Sequence, residues 1–285
     1  MSQKDFVLKV QKHLENYKQN HLGIEEKGIY NYRGKDYYFG YIIPKNISNY
    51  NSFNIIETYR KDFDDYLLSL KKTIRLHRYF NHLNSSQALA INFFFPLIQE
   101  KKLEAILDIL GIQNDDIDYS QSCFEKESDI ETGTFRKTNF DFYIELKSGV
   151  KIYFEIKYTE NEFGKAKHNT EYKNKFNSMY KELLKKCSAI KADFKTEKYF
   201  LSNYQLMRNL IHINENSYVV FLFPKNNINI RRKSEWAKNE VVYEKFNHHF
   251  MPITWEDLVE KACEKFANQN LFDYYNEDFR KKYFY

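Results

Sequence analysis

Between residues 139 and 158 apolar and polar side chains alternate on either side of a single glycine, and few folds accommodate that pattern. Phe140, Phe142, Ile144 and Leu146 occupy every second position of the first arm, and Ile152, Phe154 and Ile156 do so on the second. A period of two predicts two β-strands, each with one apolar face. A three-residue loop Lys147-Ser148-Gly149, with Gly149 in the left-handed region, pairs 146 with 150, 144 with 152, 142 with 154 and 140 with 156. All the apolar side chains then share one face. On the other, Glu145 meets Lys151, Tyr143 meets Tyr153 and Asp141 meets Glu155. A two-residue loop would set Asp141 against Ile156 and mix the faces, so the pattern selects the longer loop.

This register brings two carboxylates to within about 5 Å of each other at their β-carbons. Like charges so placed repel unless a cation sits between them or one takes up a proton. Lys157 follows on the same face. An Asp and a Glu converging on a hard cation, with a Lys beside them, suit phosphodiester hydrolysis: the oxygens hold Mg²⁺, with Mn²⁺ able to substitute, and the ammonium orients water or offsets developing charge. The same three residues would also serve as a surface ion network on a solvent-facing strand.

Helical and strand periods alternate along the rest of the chain. Residues 4–20 read as a helix, 28–43 as a hairpin turning at Arg33-Gly34-Lys35, and 52–80 as a charged helix. Asn84-Ser85-Ser86 caps an apolar helix that Pro96 interrupts, and a second stretch, 97–110, stops at Gly111. Strands over 117–158 are followed by helices at 167–188 and 199–213, strands at 218–223 and 250–254, and a closing helix at 255–266. The pattern is α/β. With 4 Pro, 8 Gly and no low-complexity tract, no linker divides the chain; residues 1–80 read as an N-terminal extension, mainly helical with a small hairpin, and 81–285 as the core.

Composition excludes more than it selects. A net charge of +5 permits nucleic-acid binding without requiring it. The three cysteines are scattered and odd in number, which argues against a zinc site or a disulfide framework. The start of the chain lacks the apolar core of a signal peptide, and 88–98, the most apolar stretch, is short and holds Asn92 and Pro96. The expectation is a cytoplasmic protein with no membrane segment. There is no GxxxxGK[ST] loop, so no nucleotide cofactor is expected.

Several further residues are candidates. Glu131, just before the hairpin, would supply a third carboxylate or sit in a solvated loop; Glu160, just past it, reads as surface or as a water-mediated metal contact. Gln87 opens the buried helix and would face the site or satisfy the helix end. Gln205, Arg208 and Asn209 share one helix face: Gln205 would support Lys157 or Glu155, and Arg208 would hold a phosphate, or all three form a structural cluster. Lys165, Lys167, His168, Lys173 and Lys175 would track a nucleic-acid backbone or form a solvated face. Arg231-Arg232-Lys233 reads as a similar run on a loop, and His248-His249 as surface.

The chain resembles the PD-(D/E)XK nuclease superfamily over roughly residues 84–270, being closest to bacterial restriction-endonuclease-like members. The likeness rests on Ser-Ser-Gln-Ala-Leu opening the apolar helix, Thr-Asn-Phe-Asp-Phe around Asp141, Phe-Glu-Ile-Lys-Tyr-Thr-Glu around Glu155 and Lys157, and the order of helix, hairpin, helix and strands. Phe140 stands where the motif names Pro, a position that varies in the superfamily. The resemblance implies a restriction-endonuclease-like core, a central mixed β-sheet flanked by helices. It implies Asp141 and Glu155 as Mg²⁺ ligands, the Ile156 carbonyl as a further ligand and Lys157 as the catalytic lysine. It also implies cleavage of DNA, double-stranded, by a restriction or defence enzyme working as a homodimer. A silent DNA-binding module of the same fold and a repair or recombination nuclease acting on ends or single strands are the other readings.

Overall fold

The computed structural model describes residues 2–69, 74–113, 116–133, 135–167 and 169–285. Backbone packing groups the chain into two compact units, Met1–Asn114 with Glu256–Tyr285, and Asp115–Trp255. The boundary drawn at residue 80 thus falls inside the first unit, and the C-terminal 30 residues join that unit rather than the hairpin's.

The first unit is mainly helical. Helix α1 (Gln3–Leu22) starts at a capping box in which Ser2 and Asp5 each bond the other's backbone N–H. Strands β1 (Gly28–Tyr32) and β2 (Lys35–Phe39) turn through Arg33 and Gly34, both at positive φ, as a two-residue hairpin requires. The helix expected over 52–80 is shorter: α2 spans Glu57–Ser69, and 74–80 are not helical. Asn54 explains part of the difference, because its buried amide donates to the carbonyls of Phe80 (2.5 Å) and His82 (2.8 Å) and holds that stretch as a turn.

Helix α3 (Ser86–Gln99) runs straight through Pro96, where a break was expected. Proline removes the N–H that would bond the Asn92 carbonyl. The Tyr274 hydroxyl donates to that carbonyl instead, at 2.7 Å, so a tertiary contact replaces the missing helical one. Helix α4 (Glu104–Leu110) ends at Gly111 in the left-handed conformation, as expected. 

The second unit is built on a five-stranded mixed sheet in the order β3 (Cys123–Glu127), β4 (Asn139–Glu145), β5 (Lys151–Ile156), β6 (Ser217–Phe223) and β7 (Phe250–Thr254). The first three strands are antiparallel; β5, β6 and β7 are parallel. Parallel neighbours need a crossover, and the β5–β6 crossover is a chain of helices: α5 (Thr170–Lys175), a π-helical turn, α6 (Lys181–Lys186), α7 (Glu197–Ser202) and α8 (Tyr204–Leu210). The helix expected over 199–213 is therefore two pieces, parted at Asn203. Between β6 and β7 lies α9 (Ile228–Trp236), which turns the expected Arg231-Arg232-Lys233 loop into helix. Asn227 caps it by accepting from the Ile230 N–H at 3.3 Å.

One sheet face packs under these helices through Tyr143, Tyr153, Val219, Phe221 and Phe250 against Phe176, Tyr180, Phe200, Leu206 and Leu210. The other carries Phe142, Ile144, Ile152, Phe154, Ile156, Val220 and Leu222, all buried. Among the described residues no helix is long and apolar enough to cross a membrane.

Candidate active site

The hairpin has the register its alternation dictates. Phe142 pairs with Phe154, Tyr143 with Tyr153, Ile144 with Ile152 and Glu145 with Lys151. Gly149 stands at φ 88°, and the Gly149 N–H closes the turn on the Leu146 carbonyl at 2.8 Å. The ladder stops one row before Asp141 and Glu155. In a continued ladder the Ile156 N–H would donate to the Phe140 carbonyl; it donates instead to Asp141 Oδ2, at 2.6 Å. A carboxylate has replaced the strand, and β4 and β5 part at this row.

The parting twists β4. Phe140, expected on the face of Phe142 and Ile144, packs on the opposite one, 4.6 Å from the Tyr153 ring and 4.8 Å from His212. Glu125 on β3 lies between the paired residues Phe124 and Lys126, and so across from Asp141, with φ at 55°. Its carboxylate takes a hydrogen bond from Asn139. Local disruption of pairing that re-aims a side chain is a recurrent device beside active sites.

Helix α8 supplies the wall over Glu155. Gln205 donates from Nε2 to Glu155 Oε1 at 2.7 Å, and Asn209, one turn on, donates to Oε2 at 3.0 Å. Lys157 Nζ lies 2.7 Å from Glu155 Oε1 and 3.3 Å from Gln205 Oε1. The Gly164 N–H also donates to Gln205 Oε1, at 3.0 Å, which fixes the amide the right way round for both partners. Glu155 and Lys157 are buried.

Burial pushes the Asp141 carboxyl well above its usual range, and the neighbouring Glu155 charge pushes it further. Burial pulls the Lys157 ammonium down, but Glu155, Glu160 and Asp141 outweigh it and hold the group above its ordinary value. Lys157 is therefore a fixed positive charge. Asp141 is a carboxyl whose ionised form lacks a sufficient counter-charge.

The oxygens left open suit a hard cation. Among the described residues Asp141 Oδ1 takes no hydrogen bond, and Glu155 Oε2 takes only the one from Asn209. In an extended residue N–H and C=O point to the same side, so the Ile156 carbonyl faces Asp141 as its N–H does. Two carboxylates and a carbonyl are donors of the type Mg²⁺ takes. No group of three or more His, Cys, Asp or Glu side chains forms a metal cluster among the described residues, so solvent or substrate oxygens would complete the shell.

A family model described as restriction endonuclease associating with ARP matches residues 11–284. The chain belongs to that family. Its mixed five-stranded sheet flanked by helices fits the restriction-endonuclease-like fold, and the match takes in both compact units. No curated protein matches, and no solved structure does.

Elsewhere in this family member the remaining candidates scatter. Glu131 is neither solvated nor turned to the Asp141–Glu155 pair: it is 1% exposed and bonded to Thr138, Tyr180 and Arg208. Arg208 accordingly spends part of its guanidinium on Glu131, 3.3 Å away. Gln87 belongs to the first unit, where its amide accepts from the His77 N–H at 2.7 Å and donates to the Arg75 carbonyl at 3.2 Å. Glu160 accepts from the Tyr158 N–H at 2.6 Å. Lys165 pairs with Glu162 on the surface, Lys167 and Lys173 are exposed, and His168 lies outside the described residues. His249, expected at the surface, is buried against Tyr218, with ring centroids 4.5 Å apart. Glu125 gave no sequence signal, because its strand alternates too weakly to fix a register. Asn209 was visible as a helix-face neighbour of Gln205 but not as a partner of Glu155.

Proposed function

We propose that this chain is a Mg²⁺-dependent endonuclease that hydrolyses phosphodiester bonds of double-stranded DNA, of the restriction or defence type and of the PD-(D/E)XK kind. The observation that carries the reading is the row where the hairpin ladder opens: Asp141, Glu155 and Lys157 meet there, and Gln205 ties the last two together.

In this reading Asp141, Glu155 and the Ile156 carbonyl would hold the metal. A bound Mg²⁺ supplies positive charge that polarises the phosphate and makes water more acidic. Lys157, held protonated, cannot take a proton from water; it orients the nucleophile or offsets charge at the phosphate. Gln205 and Asn209 keep the Glu155 carboxylate in place, so that little reorganisation is needed when substrate arrives. Asp141 would then ionise without the repulsion that raises it. Cutting both strands calls for two such centres, which a homodimer supplies. The family description extends the proposal to association with ARP.

The test is incubation of wild type and Lys157→Ala with supercoiled plasmid, in Mg²⁺ and in EDTA. Cleavage that needs both the metal and Lys157 supports the reading. If wild type leaves modified and unmodified plasmid, single strands and RNA intact, the fold serves as a binding module and the hairpin carboxylates are a charge network.

A further inference from the structure

Beside Glu155 the second unit holds a cavity of about 360 Å³, within the size range that takes a nucleotide-sized ligand. Glu155, Gln205 and Asn209 close one end. Four cations line it as well, Arg136 and Lys137 on the segment leading into β4, Lys175 at the end of α5 and Arg208 on α8, among aromatic and neutral polar side chains. The other carboxylate on the wall is Glu171.

That positive charge is matched only in part: Lys175 and Arg208 lie over the Tyr180 and Tyr204 rings, and Arg208 alone has a carboxylate partner, Glu131, among the described residues. Arg208 meets Glu131 through Nη2, but its Nε is buried without a hydrogen-bond partner. Lys175 and Arg208 both donate to the carbonyl of Arg136, which pins the segment over the cavity. That is the one hydrogen bond the Lys175 ammonium makes among the described residues. The side chains of Arg136 and Lys137 form no ion pair among those residues. Burial pulls Lys175 down to about 8, and the Arg208 charge adds to the effect. Cations crowded around an open space, with donors left over, are relieved by an anion that enters it.

We propose that this cavity is a phosphate-binding subsite, holding the phosphate of a nucleic-acid strand next to the one presented to Asp141, Glu155 and Lys157. It rests on the nuclease reading for its choice of nucleic acid. Two sources share the chemistry, an internal phosphodiester and a terminal phosphomonoester.

The measurement is binding in EDTA, without turnover, of inorganic phosphate and of a short DNA duplex with and without a 5′-phosphate. Wild type is compared with Arg136→Ala/Lys137→Ala and with Lys175→Met; the first pair alters exposed or half-exposed side chains and leaves the Arg136 carbonyl in place. Inorganic phosphate is expected to raise the wild-type unfolding temperature. The double variant is expected to bind duplex about tenfold or more weakly, with a log–log salt slope shallower by roughly one for each lost cation. A loss equal for both duplexes assigns an internal phosphodiester; a loss confined to the 5′-phosphorylated duplex assigns a strand end. Equal binding by wild type and both variants, or no phosphate effect on wild type, overturns the proposal. Plasmid cleavage alongside that negative result leaves the nuclease reading standing without this subsite. Cation-dependent binding without plasmid cleavage does the reverse.

Discussion

Two buried glutamates of the same unit, Glu131 and Glu155, each lie beside a cation, yet their surroundings differ in kind. Glu131 accepts from the Thr138 N–H at 2.8 Å, from the Thr138 hydroxyl, from the Tyr180 hydroxyl at 3.1 Å and from Arg208 at 3.3 Å. Burial pushes its pKa up, but the Arg208 charge and the two Thr138 bonds outweigh this and hold it below the usual value. Glu155 has three donors, Lys157, Gln205 and Asn209, but it faces a second carboxyl, Asp141, which burial and that proximity raise well above the ordinary range. The first carboxylate is fully satisfied by its donors. The second keeps a conflict that a cation would resolve. Conflicts of this kind cluster at functional sites, where a bound cation or a proton offsets their cost.

The contrast breaks most sharply in activity. Glu155→Gln and Asp141→Asn are each expected to lower plasmid cleavage by on the order of a thousandfold. In EDTA the unfolding temperature of Asp141→Asn should be unchanged or higher, since the amide oxygen still accepts from Ile156 while the repulsion goes. A clear drop in that temperature would mean that the pair is structural.

Glu131→Gln should do the opposite. It leaves the Arg208 guanidinium buried without its anion, which costs about 3–5 kcal/mol, to be read from urea unfolding. Near-neutral stability would show that Glu131 is not satisfied as described.

Beneath Glu131, His212 sharpens the comparison through pH. The His212 Nδ1–H donates to the Arg208 carbonyl at 2.9 Å, so Nε2 accepts from the Ser128 hydroxyl at 2.7 Å. Burial lowers its pKa to about 4 from 6.5, against the opposing pull of Glu131 and Asp129. Between those values the unfolded chain binds the proton and the folded chain does not. Stability should therefore fall by up to about 3 kcal/mol as pH drops through that window. Subtracting the unfolding profile of His212→Gln isolates this contribution.

The smallest effect belongs to the closed end of the hairpin. Gly149→Ala forces a β-carbon onto a residue at φ 88° and should cost about 1 kcal/mol, with cleavage per folded molecule unchanged. A change in cleavage would show that the turn and the open row are coupled.

The regular half of the hairpin was legible because strand alternation and one glycine leave a single register that buries the apolar face. Gln205 was legible as a polar residue on an otherwise apolar helix, and it lies within hydrogen-bond distance of Lys157 and Glu155. The rest lay beyond local pattern. The extra helix α9 hid behind three basic residues that look like loop. The side to which Phe140 turns depends on the Ile156 N–H choosing a carboxylate over a carbonyl, a choice that no periodicity encodes. Pro96 looked like a break because the hydroxyl that takes over its lost hydrogen bond is 178 positions further along the chain.

The sequence by itself determined the α/β class, from helical and strand periods alternating along the chain, and the hairpin register and the juxtaposition of Asp141 with Glu155, from side-chain period and turn geometry over fewer than twenty residues. Tertiary structure alone decided that the ladder opens at that row, that Glu131 turns to Arg208 instead, and that Arg136, Lys137, Lys175 and Arg208 surround one cavity. Those outcomes depend on where chain segments far apart in sequence bring their charges and hydrogen-bond donors, and a buried polar group takes whichever partner the packing places within reach.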